Sequence, residues 1–103
     1  MIARGEIRWL RWSQTKRRPA LVLGRAEVVP SLSQVPVMPF STTVRGLPWE
    51  VSFSAGDGMP VPCVLKPEWI RAVDRSAFGP LITVIDPARW TEVRGALLAV
   101  LGL

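Results

Sequence analysis

The chain contains no histidine and a single cysteine, Cys63, among its 103 residues. Histidine is the side chain most often used for proton transfer near neutral pH, so its absence excludes Ser-His-Asp triads and zinc sites of the His/Cys kind. A lone cysteine cannot form an internal disulfide, and we expect Cys63 to be a packed core residue. These absences leave no His/Cys metal site, and no cofactor is predicted.

Long apolar runs are also absent. No stretch approaches the roughly 18 residues that span a membrane, and the N-terminus reaches Arg4 and Glu6 before an apolar signal region could develop. We expect no membrane association, and the cytoplasm is the predicted compartment. With 49% apolar and 20% charged residues, the chain has the composition of one folded domain covering residues 1–103.

The positive charge is concentrated at one end of the chain. The first 25 residues hold seven of the 13 basic side chains and one acid, Glu6, whereas the rest of the chain is nearly balanced. A short domain with one strongly cationic edge is suited to an anionic partner, and we predict a nucleic-acid backbone as that partner.

Ten prolines and eight glycines divide the sequence into short pieces rich in Val, Leu, Ile and Trp, which favours strands. The predicted strands are residues 6–12, 20–23, 35–43, 49–53 and 81–85, with an interrupted extended segment at 61–70. In the first strand Ile7 and Trp9 are predicted to face the core, as is Val51 in the fourth. Residues 13–16 form a short polar connection.

The C-terminus carries the one long helical pattern. Asp86 is a good N-cap, Pro87 suits the first helical position, and an apolar face is formed by Trp90, Val93, Leu97, Val100 and Leu101. Residues 75–78 are predicted to add a single turn. The predicted fold is mainly β with α: a small, strongly bent antiparallel sheet or barrel with a C-terminal α-helix.

Several local sequences occur in the order seen in one known family. They are Gly-Glu-Ile-Arg-Trp at 5–9, Arg-Arg-Pro-Ala-Leu-Val-Leu at 17–23, the segment 39–51, Ile-Arg-Ala-Val-Asp-Arg at 70–75 and the Leu-rich end at 100–103. Together they span nearly the whole chain and resemble the MazF/PemK toxins. The resemblance implies the small MazF/CcdB-type barrel, related in shape to SH3-like barrels.

The same resemblance implies a function. The family consists of toxins of type II toxin-antitoxin systems that cut single-stranded RNA without metal, leaving 2′,3′-cyclic phosphate and 5′-hydroxyl ends. Its members form homodimers and are inhibited by a cognate antitoxin, which is expected to place an acidic or amphipathic disordered segment across the RNA groove.

Two catalytic residues follow from the family motif. Arg18 occupies the position of the family's catalytic arginine, whose guanidinium can bind a phosphate through two hydrogen bonds and stabilise the transition state. Ser41 stands where the family usually has a catalytic threonine. Serine keeps the hydroxyl but lacks the methyl group that restrains the rotamer, so Thr43, two residues on, is the alternative.

A second departure from the family is the short connection between the first two strands, where many members carry a long Gly-rich loop. The cleavage sequence, which that loop helps to select, therefore cannot be carried over. The predicted RNA-binding residues are Arg8, Arg11, Trp12, Lys16, Arg17, Thr43 and Arg45.

The sequence leaves some of these roles open. Trp12 is a candidate either for base stacking or for packing, and Arg45 either for phosphate binding or for a solvated turn. Arg71 is predicted to form an ion pair with Glu68 or Asp74 rather than to bind RNA. Glu6 is expected either to orient Arg18 or to pair with Arg4 or Arg8.

Two other functions compete with the nuclease. A CcdB-like toxin has the same fold but poisons DNA gyrase through protein contacts and has no nuclease site. A non-catalytic barrel that binds single-stranded RNA would keep the cationic surface and cleave nothing.

Overall fold

A computed structural model describes all residues of the chain, from Met1 to Leu103. It contains seven β-strands and one α-helix: β1 (Glu6–Arg11), β2 (Arg17–Val22), β3 (Gln34–Ser41), β4 (Val51–Phe53), β5 (Cys63–Leu65), β6 (Arg71–Asp74), β7 (Phe78–Val84) and α1 (Trp90–Leu101). The predicted class, mainly β with a C-terminal helix, is confirmed.

The seven strands form one antiparallel sheet in the order β4-β5-β3-β2-β1-β7, with β6 pairing with β3. Along one edge β3 pairs with β2, and along its other edge it pairs first with β6 and then with β5. Because one strand changes partner along its length, the sheet bends into a curled half-barrel. The predicted strong bend of a small antiparallel sheet is confirmed.

The sheet is apolar on both faces. Along β2, Leu21 belongs to the main core cluster of 13 buried residues. Its neighbours Ala20 and Val22, which point to the other face of the sheet, each belong to a smaller cluster. This explains the uninterrupted apolar run at 20–23. Within the main cluster Phe40, which is fully buried, packs edge to face on Phe53 with ring centroids 5.1 Å apart; truncating such a phenylalanine costs about 3–5 kcal/mol.

Several strand predictions need correction. Strand β2 begins at Arg17 rather than at residue 20, β4 at Val51 rather than at residue 49, and β7 at Phe78 rather than at residue 81. The third strand ends at Ser41, two residues earlier than predicted. The extended segment at 61–70 contains only β5, followed by a 3-10 turn at Pro67–Trp69. Strand β6 was not predicted, because its four residues show no apolar alternation and their extended form depends on pairing with the start of β3.

The C-terminal helix begins later than predicted. The Asp86 carboxylate accepts a hydrogen bond from the Ala88 amide at 3.0 Å, but this cap opens a 3-10 turn, and α1 follows from Trp90. Val93 on its predicted apolar face is buried, whereas Leu101 is 49% exposed. The predicted single turn is confirmed by the 3-10 turn Arg75–Ala77. No helix is long and apolar enough to cross a membrane.

Candidate functional site

Arg18 and Ser41 lie opposite each other on neighbouring strands. The β2–β3 register pairs Ala20 with Pro39, and continuing it by two residues on each strand places Arg18 opposite Ser41. The Arg18 guanidinium donates a hydrogen bond to the Phe40 carbonyl at 3.1 Å. Both side chains line the same pocket, whose volume is about 240 Å³.

The lining of this pocket is cationic. Its polar residues are Lys16, Arg18, Ser41, Thr42, Thr43, Arg45 and Lys66, and its walls include Trp9 and Trp69. Four of the polar residues carry a positive charge, three carry a hydroxyl, and no lining residue is a carboxylate. The pocket therefore has the charge and the hydrogen-bond donors to hold an anion such as a phosphodiester.

The short connection between β1 and β2 brings Lys16 to the pocket. Trp12 and Lys16 close the turn with a backbone hydrogen bond of 2.9 Å, and the Ser13 hydroxyl accepts a further bond from the Lys16 amide at 3.1 Å. Because the turn is tight, the cationic side chain stays close to the strands that carry Arg18.

Two tryptophan rings flank Arg18. Its guanidinium carbon lies 4.7 Å from the centroid of Trp12 and 5.1 Å from that of Trp69, and the two rings are 5.8 Å apart. The buried Nε atom of Arg18 has no hydrogen-bond partner. Burial, together with the nearby charge of Arg71, lowers the pKa of Arg18. The guanidinium is thus partly desolvated and lacks a carboxylate partner, which favours binding of an external anion.

Arg71 does not form the predicted ion pair with Glu68 or Asp74. Instead its guanidinium carbon lies 4.0 Å from the Trp12 ring centroid, and no carboxylate is within salt-bridge distance. Trp12 is therefore in contact with two guanidinium groups. Of the two roles left open for Trp12, this arrangement favours packing over base stacking.

Ser41 is nearly buried, and its hydroxyl oxygen accepts a hydrogen bond from the Thr43 amide at 3.1 Å. Accepting this bond leaves the hydroxyl hydrogen of Ser41 available to a ligand oxygen. Thr43 also lines the pocket, but β3 ends at Ser41, so the argument that an ideal strand places both residues on one face does not apply.

A buried lysine that sequence analysis missed also lines the pocket. The Lys66 side chain is 3% exposed and forms ion pairs with Glu50 at 3.0 Å and Glu68 at 3.1 Å. Burial alone would lower the pKa of Lys66, but the hydrogen bonds to the two carboxylates outweigh it and raise that pKa. The only feature of the sequence that could have indicated a buried lysine is its position directly after the apolar residues of β5.

Arg8, a predicted RNA-binding residue, lies outside the pocket. It pairs with Glu6 at 2.8 Å and donates hydrogen bonds to the carbonyls of Gly79 and Met1. Of the roles considered for Glu6, pairing with Arg8 is the one observed. Burial raises the pKa of Glu6, but the hydrogen bonds from Arg8 and from the Ala3 amide outweigh it and lower the pKa overall.

Arg11 and Arg17 lie directly opposite each other on β1 and β2, and both are exposed. They border a small hollow of about 80 Å³ that shares Trp9 with the main pocket. Trp9 was predicted to be a core residue, but it is half-buried and separates these two hollows. Its strand bulges on the side that pairs with β7, which shifts Trp9 toward the rim of the core.

Cys63 is buried in the main core cluster, as predicted, and its side chain reaches the pocket wall. Burial, with a smaller contribution from Asp57, raises the pKa of Cys63 to about 11. The thiol is therefore protonated at neutral pH and is a poor nucleophile. Trp49 packs against the same cluster and so supports the sheet.

Comparison with known proteins agrees with this geometry. Residues 3–101 match the family model described as PemK-like, MazF-like toxin of type II toxin-antitoxin system. The chain belongs to this family. The predicted resemblance is confirmed, and the family fold agrees with the curled half-barrel described above.

Relatives of this MazF-like chain have been described in Mycobacterium tuberculosis. Probable endoribonuclease MazF2 is 35% identical over 100 residues, which cover 96% of this chain and 97% of that protein. Probable endoribonuclease MazF5 is 42% identical over 60 residues, and the match spans about half of that protein's length, 54%. At the level of the family, the predicted class of enzyme, an endoribonuclease, is confirmed.

Solved structures give the same result for the fold. The Mycobacterium tuberculosis toxin MazF-mt6 superposes with a TM-score of 0.86 at 30% identity, covering 95% of this chain and 97% of that one. A MazE-MazF structure from Deinococcus radiodurans gives a TM-score of 0.80 at 29% identity, covering 99% and 96%.

Proposed function

We propose that this MazF-like toxin is a sequence-specific endoribonuclease that cuts single-stranded RNA without a metal ion. The ribose 2′-hydroxyl loses its proton to water as its oxygen attacks the adjacent phosphorus, and the bond to the 5′-oxygen of the next nucleotide breaks. That oxygen takes up a proton from water, so the products carry 2′,3′-cyclic phosphate and 5′-hydroxyl ends. The observation that carries the proposal is the meeting of Arg18 and Ser41 in one cationic pocket with no carboxylate in its lining.

Arg18 stabilises the charge that develops on the phosphate. Its guanidinium is fixed through the Phe40 carbonyl and by Trp12 and Trp69, so the donors that remain are pre-organised toward the pocket. The Ser41 hydroxyl donates to a second phosphate oxygen, while its own oxygen accepts from the loop backbone. With no imidazole or free carboxylate in the lining, catalysis depends mainly on electrostatic stabilisation of the transition state.

The RNA strand continues from the pocket past Trp9 toward Arg11 and Arg17. Like charges directly opposite each other on paired strands are destabilising, and neither of these arginines has an acidic partner. A backbone phosphate at this position relieves the repulsion. Arg45 and Lys16 at the pocket rim contact neighbouring phosphates, whereas Arg8 supports the fold.

The partners are a second copy of the chain and a cognate antitoxin. Apolar side chains exposed on the C-terminal helix, among them Leu98 and Leu101, support a homodimer. An acidic antitoxin segment lies across the cationic pocket and competes with RNA; the MazE-MazF structure of the Deinococcus radiodurans relative supports such a partner. Because RNA and antitoxin are both made there, the cytoplasm is the compartment in which the toxin acts.

The test is RNA cleavage in the presence of EDTA. The purified chain and its Arg18→Ala variant are incubated with RNA of mixed sequence, and 5′-hydroxyl ends are mapped. We expect cuts that persist in EDTA and fall by about 100- to 1,000-fold in the variant, as for loss of one transition-state donor. Intact RNA together with inhibited gyrase would favour a CcdB-like toxin, and salt-sensitive RNA binding without cuts would favour a non-catalytic barrel.

A further inference from the structure

The segment between β3 and β4, residues 42–50, brings Thr42, Thr43 and Arg45 to the pocket although it contains no strand or helix. Most of this loop is exposed. An exposed loop of this kind is expected to move unless specific contacts hold it. The position of three pocket residues therefore depends on those contacts.

A single carboxylate holds the far end of the loop. Oxygen Oε1 of Glu50 accepts hydrogen bonds from three consecutive backbone amides: Arg45 at 3.2 Å, Gly46 at 3.0 Å and Leu47 at 3.3 Å. Gly46 has a φ of 71°, a left-handed conformation that glycine adopts without strain and that helps the chain to curl around the carboxylate.

Lys66 fixes this carboxylate from the other side. Its Nζ atom donates to Oε2 of Glu50 at 3.0 Å, and its own backbone amide donates to the Pro39 carbonyl of β3 at 2.8 Å. Nζ also lies 5.3 Å from the centroid of Trp69, the ring that contacts Arg18. Lys66 thus contacts the loop through Glu50, strand β3 through Pro39 and the pocket wall through Trp69.

We propose that Glu50 and Lys66 form a positioning pair that holds the loop 42–50 against the pocket in the geometry that RNA binding requires. This inference rests on the proposed ribonuclease function. Glu50 and Lys66 do not contact the reacting atoms; they act through the loop residues. Stability alone does not account for the pair, since well-packed apolar residues replace a buried ion pair with little or no loss of stability, whereas apolar side chains cannot accept hydrogen bonds from three amides.

Glu68 provides a matched control. It pairs with the same ammonium group at 3.1 Å but accepts no hydrogen bond from the backbone amides of the loop; its contact with the loop is to the indole of Trp49. The variants Glu50→Gln and Glu68→Gln each remove one negative charge next to Lys66, and only the first weakens the acceptor for the loop amides. Folding of both variants is checked by circular dichroism and thermal melting.

Two readouts are measured for both variants. In hydrogen exchange, we expect the amides of Arg45, Gly46 and Leu47 in the wild-type chain to be protected about 10-fold or more relative to the unpaired amide of Val44, and this protection to decrease in Glu50→Gln, whose neutral amide oxygen is a weaker acceptor. In RNA cleavage, we expect Glu50→Gln to raise KM by about 10-fold, the effect of losing one charge-assisted contact, with kcat within about threefold of wild type. Glu68→Gln should match the wild type in both readouts.

The results separate this inference from the function on which it rests. Unchanged protection and KM in Glu50→Gln, or equal effects in Glu68→Gln, would overturn the positioning role. If the wild-type chain cuts no RNA, the proposed function fails, and the exchange measurement still decides whether Glu50 holds the loop. If Glu50→Gln does not fold, the wild-type protection relative to Val44 decides: equal exchange at Val44 and at residues 45–47 would contradict the inference.

Discussion

Replacing Ser41 separates its role in catalysis from its role in the fold. In Ser41→Ala the Thr43 amide loses its acceptor, the hydrogen bond of 3.1 Å, but Thr43 is exposed and water can replace it. A net loss of about 0.5–1.5 kcal/mol is expected for one such bond. For a chain of this size that lowers the melting temperature by about 2–10 °C, so the variant remains folded at 25 °C.

The effect on catalysis should be larger. A hydrogen bond to a charged group contributes about 1.5–3 kcal/mol, which corresponds to a decrease in kcat of about 10- to 150-fold for Ser41→Ala. Ser41→Thr keeps the hydroxyl and adds the methyl group that restrains its rotamer. Because threonine is the usual family residue at this position, we expect a rate equal to or above that of the wild type.

The assay is single-turnover cleavage of a short RNA that contains one mapped site, in EDTA, with Thr43→Ala as the control. If Thr43 rather than Ser41 supplies the catalytic hydroxyl, Thr43→Ala will lose the larger factor and Ser41→Ala will stay within about threefold of wild type. That result would refute the assignment of Ser41. Equal losses in both variants would show that both hydroxyls contribute, because Thr43→Ala keeps the backbone amide that donates to Ser41.

Two further predictions concern neighbouring groups. In Trp12→Leu, Arg18 loses a cation–π contact of about 1–2 kcal/mol, so we expect kcat to fall by about 5- to 30-fold and KM to stay within about twofold of wild type. Both constants are measured by steady-state cleavage. A predominant rise in KM would instead indicate that Trp12 stacks on a base. The melting temperature should also fall as the pH drops below about 4.5, and less so in a Glu50→Gln, Glu68→Gln double variant. The hydrogen bond from Lys66 lowers the pKa of Glu50, and for Glu68 burial raises the pKa but hydrogen bonds outweigh it. Both carboxylates therefore stabilise the fold above their unfolded pKa, near 4.5, and this contribution is lost as the pH falls through their folded values.

The sequence predicted those features that depend on local pattern. The run at 20–23 is apolar at every position because β2 is buried on both faces, and this is visible without coordinates. Arg18 and Ser41 were identified by family motif, and the β2–β3 register then brings them together. The helix cap at Asp86 was also readable, although the 3-10 turn that it opens was not.

The features that were missed depend on contacts between distant segments. Lys66 looks like an ordinary charged residue after a strand, and its burial becomes evident only when Glu50 and Glu68 are placed beside it. Arg71 was expected to pair with an acid close in sequence, but Glu68 is already engaged by Lys66. Trp9 was placed in the core by simple alternation, and the bulge in its strand could not be anticipated from the residue types.

A histidine-free nuclease site must obtain its catalytic charge from groups that do not titrate near neutral pH, and in the proposed site Arg18 is that group. A carboxylate partner would hold the guanidinium in place but would also compete with the phosphate for its donors. Here two aromatic rings and one backbone carbonyl hold it instead, so position is fixed without neutralising the charge. The carboxylates nearest the pocket, Glu50 and Glu68, both pair with Lys66, so this group of three carries one net negative charge and the positive charge of the pocket comes from Lys16, Arg18 and Arg45. The site therefore keeps its positive potential, and the proposed RNA substrate and the proposed acidic antitoxin segment would meet the same unneutralised guanidinium.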